Sequence, residues 1–303
     1  MKVAITGSSG LIGSELAHAL GAAGHEVLRV VRSGGRGPGR ILWDPTSGTI
    51  DAGGLESVDA VVHLAGESIG SGRWTTAQKA RILDSRVLGT QLIARTVAAM
   101  DSPPRVLASG SAIGFYGPDR GDEELTEDAI GGPGFLAEVV RQWEDATASA
   151  EEAGIRVAHL RSGLVLSPEG GAMQRMLLPF KLGLGGRIGS GRQYWSWISL
   201  TDEVAAIIHV LERDELTGPV NLTAPAPVTN AELTATLARV LGRPAKIPVP
   251  TLGLKGALGT ELVEEMLIGG QRVLPAKLER SGYRFTFGEL ETALRAMLER
   301  PAA

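Results

Sequence analysis

Short apolar runs alternate with amphipathic stretches along the first half of the chain. Six runs have the length and apolar character of buried strands; they span 3–5, 26–31, 41–43, 59–66, 105–109 and 156–161. Helical periodicity fills several of the intervals, most clearly over 14–23, 75–100 and 135–152. Alternation of strands with helices is typical of a parallel sheet covered on both faces. The pattern therefore predicts an α/β fold built on a doubly wound parallel sheet.

The first predicted strand runs into a glycine-rich turn that opens a helix. Gly7 permits a tight turn, Gly10 leaves room for a diphosphate, and Gly13 lets helix and sheet approach closely. The amides at the start of that helix then face the diphosphate. An ordinary strand–helix turn is the alternative, but the strand before and the helix after favour dinucleotide binding. The predicted contacts here are Thr6, Gly7, Ser9, Gly10, Leu11, Ile12 and Gly13.

The end of the second strand indicates which dinucleotide is bound. NAD sites place an acidic residue there, about 20 residues past the glycines, to hold the ribose 2′-hydroxyl. This chain has Arg32 and Ser33 instead, and no acid between Val27 and Gly39. Two charge-assisted hydrogen bonds to a 2′-phosphate, at about 1.5–3 kcal/mol each, would supply a preference on the order of a hundredfold. We predict NADP(H) as cofactor; the alternative is that Arg32 is a solvated strand-end residue.

Composition and charge exclude several other classes of protein. The 303 residues carry a formal net charge of -4 with both signs mixed, so no basic nucleic-acid footprint is present. Cysteine is absent and the five histidines are scattered, so no metal site is predicted. No apolar run approaches the ~20 residues needed to span a bilayer, and Met1-Lys2 leads straight into a strand without a signal peptide. We expect a cytoplasmic protein with a small-molecule substrate, either monomer or homodimer.

The fourth apolar run ends in small residues that suit a cofactor. Leu64, Ala65 and Gly66 would let the backbone approach the adenosine and its ribose. His63 precedes them within the apolar run, and a single histidine there is more often a satisfied core residue than a catalyst. We therefore add Leu64, Ala65 and Gly66, and not His63, to the predicted cofactor contacts.

Several motifs, taken together, resemble one protein family. Thr6–Gly13 with His63–Gly66 is similar to the extended short-chain dehydrogenases/reductases, the relatives of sugar-nucleotide epimerases and dehydratases. Further motifs resemble an atypical "epimerase family protein" branch; they lie at 67–69, 72–75, 79, 85–90, 109–117, 135–138, 195–198 and 269–275. The resemblance covers nearly the whole chain.

The resemblance implies a division into three parts. Residues 1–165 would be the NADP-binding Rossmann domain, with the helix at 201–215 packed on it. Segments within 166–247 would form a smaller α/β substrate lobe, and 248–303 a helical domain of unknown function. The predicted cofactor contacts are completed by Glu67, Arg73, Ser109, Gly163 and Val165.

The chain departs from the family in its catalytic residues. The family ordinarily uses Tyr-x-x-x-Lys, in which the lysine lowers the tyrosine pKa for proton transfer. The residues four positions after Tyr116, Tyr194 and Tyr283 are arginine, isoleucine and phenylalanine. Tyr116 with Arg120 is unlike the dyad because Pro118 argues against a shared helical face. In the resembling helix Phe135 and Val139 take the two positions, and the register Leu136 with Val140 fares no better.

Four residues are candidates for substitute acid–base or binding chemistry. Ser111 follows the fifth strand and could hydrogen-bond a substrate carbonyl or hydroxyl, and Arg86 stands where relatives carry asparagine. Tyr116 and Glu138 complete the set. Each has another interpretation: Arg86 pairs with a carboxylate, Glu138 is solvated, and Tyr116 only packs against the cofactor.

Two functions from different classes follow. The first is an NADP(H)-dependent oxidoreductase or epimerase-like enzyme acting on a sugar nucleotide or small carbonyl compound. The second is a non-catalytic NADPH-binding regulatory or scaffold protein. The missing dyad favours the second, whereas the intact cofactor motif and the aromatic cluster Tyr194–Trp197 favour the first.

Overall fold

The strands and helices follow the predicted alternation. A computed structural model describes residues 1–32 and 37–299. Its strands are β1 Lys2–Thr6, β2 Glu26–Val31, β3 Arg40–Asp44, β4 Thr49–Ile50, β5 Ala60–His63, β6 Val106–Ala112, β7 Glu124–Leu125, β8 Arg156–Ser162, β9 Leu164–Leu166, β10 Tyr194–Trp195, β11 Trp197–Ser199, β12 Gly218–Leu222, β13 Val228–Thr229 and β14 Arg272–Val273. Its α-helices are α1 Leu11–Ala22, α2 Thr76–Ala98, α3 Phe135–Asp145, α4 Ala148–Glu152, α5 Gly171–Lys181, α6 Leu200–Glu212, α7 Asn230–Leu241, α8 Thr251–Leu258, α9 Thr260–Val263, α10 Ala276–Arg280 and α11 Leu290–Leu298.

Eight strands form one sheet in the order β12-β8-β6-β5-β1-β2-β3-β4. Every neighbouring pair is parallel except β3 with β4. The chain adds strands outward from β1 first on one side and then on the other, so the strand order reverses between β1 and β5. A ligand of such a sheet binds beyond the carboxyl ends of the strands at that reversal. The predicted doubly wound parallel sheet is confirmed.

Helices cover both faces of the sheet because its strands are apolar on both sides. On one face, Leu16 and Leu20 of α1 and Ile207 of α6 pack against Ile5 and Leu160. On the other face, Ile93 and Val97 of α2 and Ala150 of α4 pack against the sheet.

A smaller lobe adjoins the sheet beyond its carboxyl edge. Its core unites α5, α7 and α11 around the fully buried Trp197. The short strand β14 from the last part of the chain pairs with β7, which follows the main-sheet strand β6. The lobe therefore contains residues from before and after the predicted boundary at 247, and the three domain boundaries remain a prediction.

Three elements differ from the sequence-based prediction. β6 continues to Ala112, so Ser111 lies within the strand, paired with Arg161 of β8. The helix predicted over 135–152 is two helices, because the Thr147 hydroxyl donates to the carbonyl of Glu144 and competes with the helical pattern. β12 lies within 166–247 but pairs with β8 in the main sheet, since its buried residues extend that sheet.

Candidate functional site

The glycine turn after β1 has little room for side chains. Gly7 has a φ of +66°, and a Cβ there would lie 2.8 Å from the carbonyl carbon of Leu64. A Cβ on Gly13 would lie 2.9 Å from the carbonyl carbon of Gly7 and closer still to its oxygen. Gly10 differs, because its missing Cβ would meet only the Gly7 oxygen, at 3.3 Å. Gly10 is also exposed and begins α1 without any side-chain cap. The turn thus leaves a helix N-terminus open to an anion.

Thr6 joins the ends of β1 and β5. Its hydroxyl oxygen accepts hydrogen bonds from the amides of Leu64 at 3.0 Å and Ala65 at 3.1 Å, and lies 2.8 Å from Nδ1 of His63. With two N–H donors on that oxygen, the hydroxyl proton goes to Nδ1, which places the imidazole proton on Nε2. Burial lowers the pKa of His63 to about 4, so this ring is neutral. Thr6 and His63 therefore hold the two strand ends in register.

The predicted cofactor contacts lie along one edge of the sheet. Ser109 lies within β6, and the other contacts lie at the end of β1 or after β1, β5 and β8. These four strands are neighbours in the sheet, and Arg32 follows β2 beside them. Arg32 is exposed, and Ser33 lies outside the described residues. Ser109 is buried in β6, whereas Gly163 and Val165 are half-buried after β8. A Cβ on Gly163 would lie 2.9 Å from Cγ2 of Thr223. The segments that the prediction selected are thus brought together.

A cation beside the glycine turn was missed by the sequence analysis. Arg29 lies in β2, and its Nη1 donates a 3.0 Å hydrogen bond to the carbonyl of Ser8. Its only sequence signal is a charged residue inside an apolar strand. Arg29 can fix the orientation of the turn and add positive charge near it.

Arg86 supports the segment that follows β5. Its Nη1 donates to the carbonyl of Glu67 and to that of Ile82, both at 3.0 Å, and its guanidinium lies 5.0 Å from the centre of the Trp143 ring. Burial lowers the pKa of Arg86 to about 10, although the charge of Glu67 opposes that shift. These contacts place Arg86 beneath Gly66 and Glu67, where it holds the backbone of a predicted cofactor segment.

Ser111 and Tyr116 belong to one buried polar network. The Ser111 hydroxyl donates to Oε1 of Glu144 at 2.6 Å, and Arg161 binds both oxygens of that carboxylate at 2.8 Å. Arg161 also donates to the Tyr116 hydroxyl at 3.1 Å, which in turn donates to Oδ1 of Asn221 at 2.7 Å. Glu144 and Arg161 were not among the predicted site residues, because nothing local to Ser111 points to them.

The network fixes the hydrogen-bonding polarity of Ser111. Burial would raise the pKa of Glu144, but hydrogen bonds and charge from Arg161, with smaller help from His159 and Ser111, outweigh it and lower that pKa. An ionised carboxylate only accepts, so the Ser111 proton stays directed at Glu144. The two lone pairs of the Ser111 oxygen can accept hydrogen bonds from a ligand hydroxyl or amide.

Tyr116 and Glu138 are held in very different environments. Tyr116 is fully buried, and burial raises the pKa of its phenol despite the opposing charge of Arg161. Glu138 is exposed on α3, where it binds Arg141 and Gln142 at 2.7 Å each. Those two hydrogen bonds lower its pKa. The structure therefore links Ser111 with Tyr116 and places Arg86 and Glu138 apart from them.

The positions that resemble the missing dyad are filled by packed side chains. Phe135 contacts the Trp74 ring edge-on, with ring centres 5.1 Å apart, and Nζ of Lys79 lies 4.3 Å from the centre of the Phe135 ring. Val139 and Val140 are both buried, at 2% and 3% exposure. In either register a lysine at the second position would therefore enter the core.

A separate cavity of about 770 Å³ contains none of the described candidate residues. It lies between the segment after Tyr116 and the last part of the chain, and is lined by Pro118, Asp119, Gly121, Asp122, 190–194, Thr229, Ala231, Glu264 and 268–270. Across 1–32 and 37–299, no cluster of three or more histidine or carboxylate side chains could hold a metal ion. Within the same residues, no helix has both the length and the apolar character needed to cross a membrane.

Comparison with family models and with a curated relative gives consistent results. The model for the NAD dependent epimerase/dehydratase family matches residues 3–222, and a model described as a domain of unknown function (DUF1731) matches 249–297. An epimerase family protein of Mycobacterium tuberculosis is 46% identical over 299 residues, covering 99% of this chain and 98% of that protein.

Two solved structures are similar over most of this chain. Human epimerase family protein SDR39U1, crystallised with NADPH, has a TM-score of 0.90 and 38% identity, with 99% of this chain and 100% of that chain covered. A nucleoside-diphosphate sugar epimerase of Corynebacterium glutamicum has a TM-score of 0.81 and 38% identity, with 98% of this chain and 58% of that chain covered.

Proposed function

The chain belongs to the NAD-dependent epimerase/dehydratase family, and we propose that it binds NADP(H) and acts as an oxidoreductase or epimerase-like enzyme. The glycine turn carries this proposal. Side chains are excluded at Gly7 and Gly13, while Gly10 opens toward the free start of α1. A dinucleotide diphosphate fits that arrangement of open backbone amides and positive helix dipole. The NADPH complex of the human relative agrees with the predicted cofactor.

Residues around the turn would select and hold the cofactor. Arg32, which is exposed and follows β2, would meet a 2′-phosphate, and Arg29 donates a hydrogen bond to the Ser8 carbonyl. Leu64, Ala65 and Gly66 would lie along the adenosine and ribose. When bound, NADP(H) supplies or accepts a hydride.

Ser111 is the proposed contact to the substrate. Because its proton is committed to Glu144, it accepts from a hydroxyl rather than donating to a carbonyl. This polarity favours a substrate that presents a hydroxyl, as sugars do, and the name of the Corynebacterium relative is in line with a sugar nucleotide. Small carbonyl compounds are the second substrate class to test. Arg161 keeps Glu144 ionised, so Glu144 orients Ser111 and is a poor proton acceptor.

One observation favours the alternative function, an NADPH-binding regulatory or scaffold protein. By the family resemblance Phe135 would take the position of the phenol, and its ring lies under Nζ of Lys79, while Tyr116 is fully buried in the core. A protein with this site would keep its cofactor affinity but lack the usual proton donor. General acid–base help is typically worth 10²–10⁴-fold in rate.

The experiment that tests the proposal measures binding and turnover separately. Calorimetry with NADPH and NADH tests the cofactor assignment, and absence of NADPH binding would refute it. Spectrophotometry of NADPH oxidation and NADP⁺ reduction across sugar nucleotides, alcohols and small carbonyl compounds then tests catalysis. Tight NADPH binding without turnover on any of these substrates would favour the non-catalytic alternative.

A further inference from the structure

The domain of unknown function contributes a carboxylate to the helix that carries Phe135. Glu265 accepts hydrogen bonds from the amide of Phe135 at 2.7 Å, through Oε1, and from the amide of Leu136 at 2.8 Å, through Oε2. These are the first two residues of α3. We propose that Glu265 of the C-terminal domain is a positioning residue for the cofactor edge, the edge of the sheet along which the predicted cofactor contacts lie. The effect on cofactor binding rests on the proposed function, whereas the effect on α3 does not.

Helix α3 has no cap of its own. The residue before it, Gly134, has no side chain and a φ of +108°. A Cβ on Gly134 would lie 3.1 Å from Oε1 of Glu265, so the glycine leaves the space in which that carboxylate approaches. A carboxylate at a helix N-terminus satisfies free amides and complements the helix dipole. Glu265 therefore replaces a local cap with one from 130 residues away along the chain.

The first turn of α3 connects the segments that follow β5 and β6. Phe135 packs against Trp74, which belongs to the segment after Gly66 and Glu67. Leu136 packs on Gly114, which lies three residues after Ser111. A Cβ added to Gly114 would lie 3.4 Å from the Cβ of Leu136. Holding this turn in place thus holds the spacing between two segments of the predicted cofactor edge.

Two further contacts link the Rossmann part to the C-terminal domain, and again the Rossmann part supplies the donor. Arg73 donates to the carbonyls of Gly256 and Ala257 at the end of α8, and Nζ of Lys79 lies 2.6 Å from Oε1 of Glu261. Arg73 was predicted to contact the cofactor, and here its guanidinium binds the C-terminal domain. In all three contacts the donor comes from the Rossmann part and the acceptor from the C-terminal domain. Exposed pairs of this kind contribute little by themselves, and of the three contacts Glu265 is the one made to the start of α3.

The test compares two adjacent carboxylates on the same turn. Glu265→Ala removes the cap, and Glu264→Ala is the matched control. Glu264 is exposed, and within 1–32 and 37–299 its side chain pairs only with Lys255 of the same domain. In Glu265→Ala we expect amide exchange of Phe135 and Leu136 to rise about tenfold and NADPH affinity to fall about tenfold. The amide exchange rates and the NADPH affinity of Glu264→Ala should both stay within about twofold of the wild type. Glu265→Gln, which keeps one accepting oxygen, should be intermediate.

Gly134→Ala provides an independent variant that leaves the C-terminal domain unchanged. Its new Cβ should both displace Glu265 and strain the backbone at a φ of +108°, so amide exchange at Phe135 and Leu136 should rise at least as much as in Glu265→Ala. The proposal is overturned if Glu265→Ala exchanges those amides at the wild-type rate, or if Glu264→Ala has the same effect as Glu265→Ala. It is also overturned if amide exchange rises while NADPH affinity stays at the wild-type value. Failure of the wild type itself to bind NADPH would refute the proposed function and leave the amide-exchange result for α3 standing.

Discussion

The hydroxyl of Ser111 donates its proton to Glu144. The 2.6 Å hydrogen bond between them is fixed by Arg161, which occupies both carboxylate oxygens of Glu144. Because the ion pair of Glu144 with Arg161 is buried, losing one partner would leave the other charge uncompensated and would strongly destabilise the protein. A serine at this position would otherwise rotate to donate or accept as a ligand requires.

Ser111→Ala should separate substrate contact from cofactor binding. We expect NADPH affinity to stay within about twofold, while turnover of a hydroxyl substrate falls about ten- to hundredfold through loss of one hydrogen bond of about 1.5–3 kcal/mol. The measurement is steady-state kinetics beside calorimetry on the same preparations. Unchanged turnover would show that Ser111 does not contact the substrate.

Tyr116→Phe should affect stability and not cofactor binding. The Tyr116 hydroxyl bridges Nη1 of Arg161 and Oδ1 of Asn221 in the core, so its removal leaves these two atoms without that hydrogen-bond partner. We expect the free energy of unfolding to fall by about 1–3 kcal/mol in urea titrations. Tyr194→Phe is the matched control, since the Tyr194 hydroxyl has no hydrogen-bond partner among the described residues, and should change stability by less than about 0.5 kcal/mol. Equal losses in the two variants would contradict the role given to the buried network.

The features of the fold that could be predicted from the sequence are those set by short-range patterns. The strands and the glycine turn after β1 are both encoded within a few residues. The partners of Ser111 are not, since Glu144 lies 33 residues away and meets it only after α3 packs on the sheet. Glu265 is still farther from α3, and no local pattern marks it as a cap. Neighbouring strands bring the cofactor segments together, but side-chain partners across elements require the folded structure.

Arg32 and Arg29 should have distinguishable effects on cofactor choice. Arg32→Ala removes the proposed 2′-phosphate contact, so NADPH affinity should fall about ten- to hundredfold with NADH affinity unchanged. Arg29→Ala removes the hydrogen bond to the Ser8 carbonyl, so both cofactors should bind more weakly. Calorimetry with both cofactors distinguishes the two variants. If Arg32→Ala leaves NADPH affinity untouched while NADH binds equally well to the wild type, the 2′-phosphate assignment is wrong.

Glu203 should make the protein less stable as pH rises. It is fully buried, and burial raises its pKa from the ordinary 4.5 to about 8, although the Ser162 hydroxyl donates to it. Between these values the unfolded chain has lost the proton that the native protein keeps, so stability falls by about 1.4 kcal/mol per pH unit. Glu203→Gln stays neutral, and its stability relative to the wild type should grow from about pH 5 to about pH 8 in urea titrations. A difference that is independent of pH would contradict this assignment.

His63 should make the protein more stable as pH rises, over a lower pH range than Glu203. The pKa of His63 is about 4 in the native protein against an ordinary 6.5. Its contribution to the free energy of unfolding is therefore complete above pH 6.5 and is lost as pH falls toward 4. Between 4.5 and 6.5 the effects of His63 and Glu203 oppose each other. Burial also lowers the pKa of His159 and of His209, which act in the same direction as His63. We therefore expect the stability of Glu203→Gln to rise with pH up to about 6.5, and wild-type stability to rise less steeply there and to decline from 6.5 to 8.

Gly10 and Gly13 provide the sharpest test of the dinucleotide site, because the same substitution should act in different ways. Gly10→Ala adds a methyl group over the turn that would meet only the Gly7 oxygen, at 3.3 Å, at a residue with ordinary extended backbone. We expect its stability to stay within about 1 kcal/mol, while NADPH affinity falls at least about tenfold because the methyl group occupies the diphosphate position.

Gly13→Ala instead forces a methyl group against the carbonyl of Gly7. That backbone cannot move without disturbing β1, so stability should fall by about 1–3 kcal/mol and NADPH binding should weaken as well. Gly21→Ala is the control: it lies in the same helix with nothing within 4 Å of its missing Cβ, and it should stabilise the protein by about 0.5–1 kcal/mol. Urea titration and calorimetry on the three variants provide the comparison. Wild-type NADPH affinity in Gly10→Ala would mean that the diphosphate does not lie over this turn.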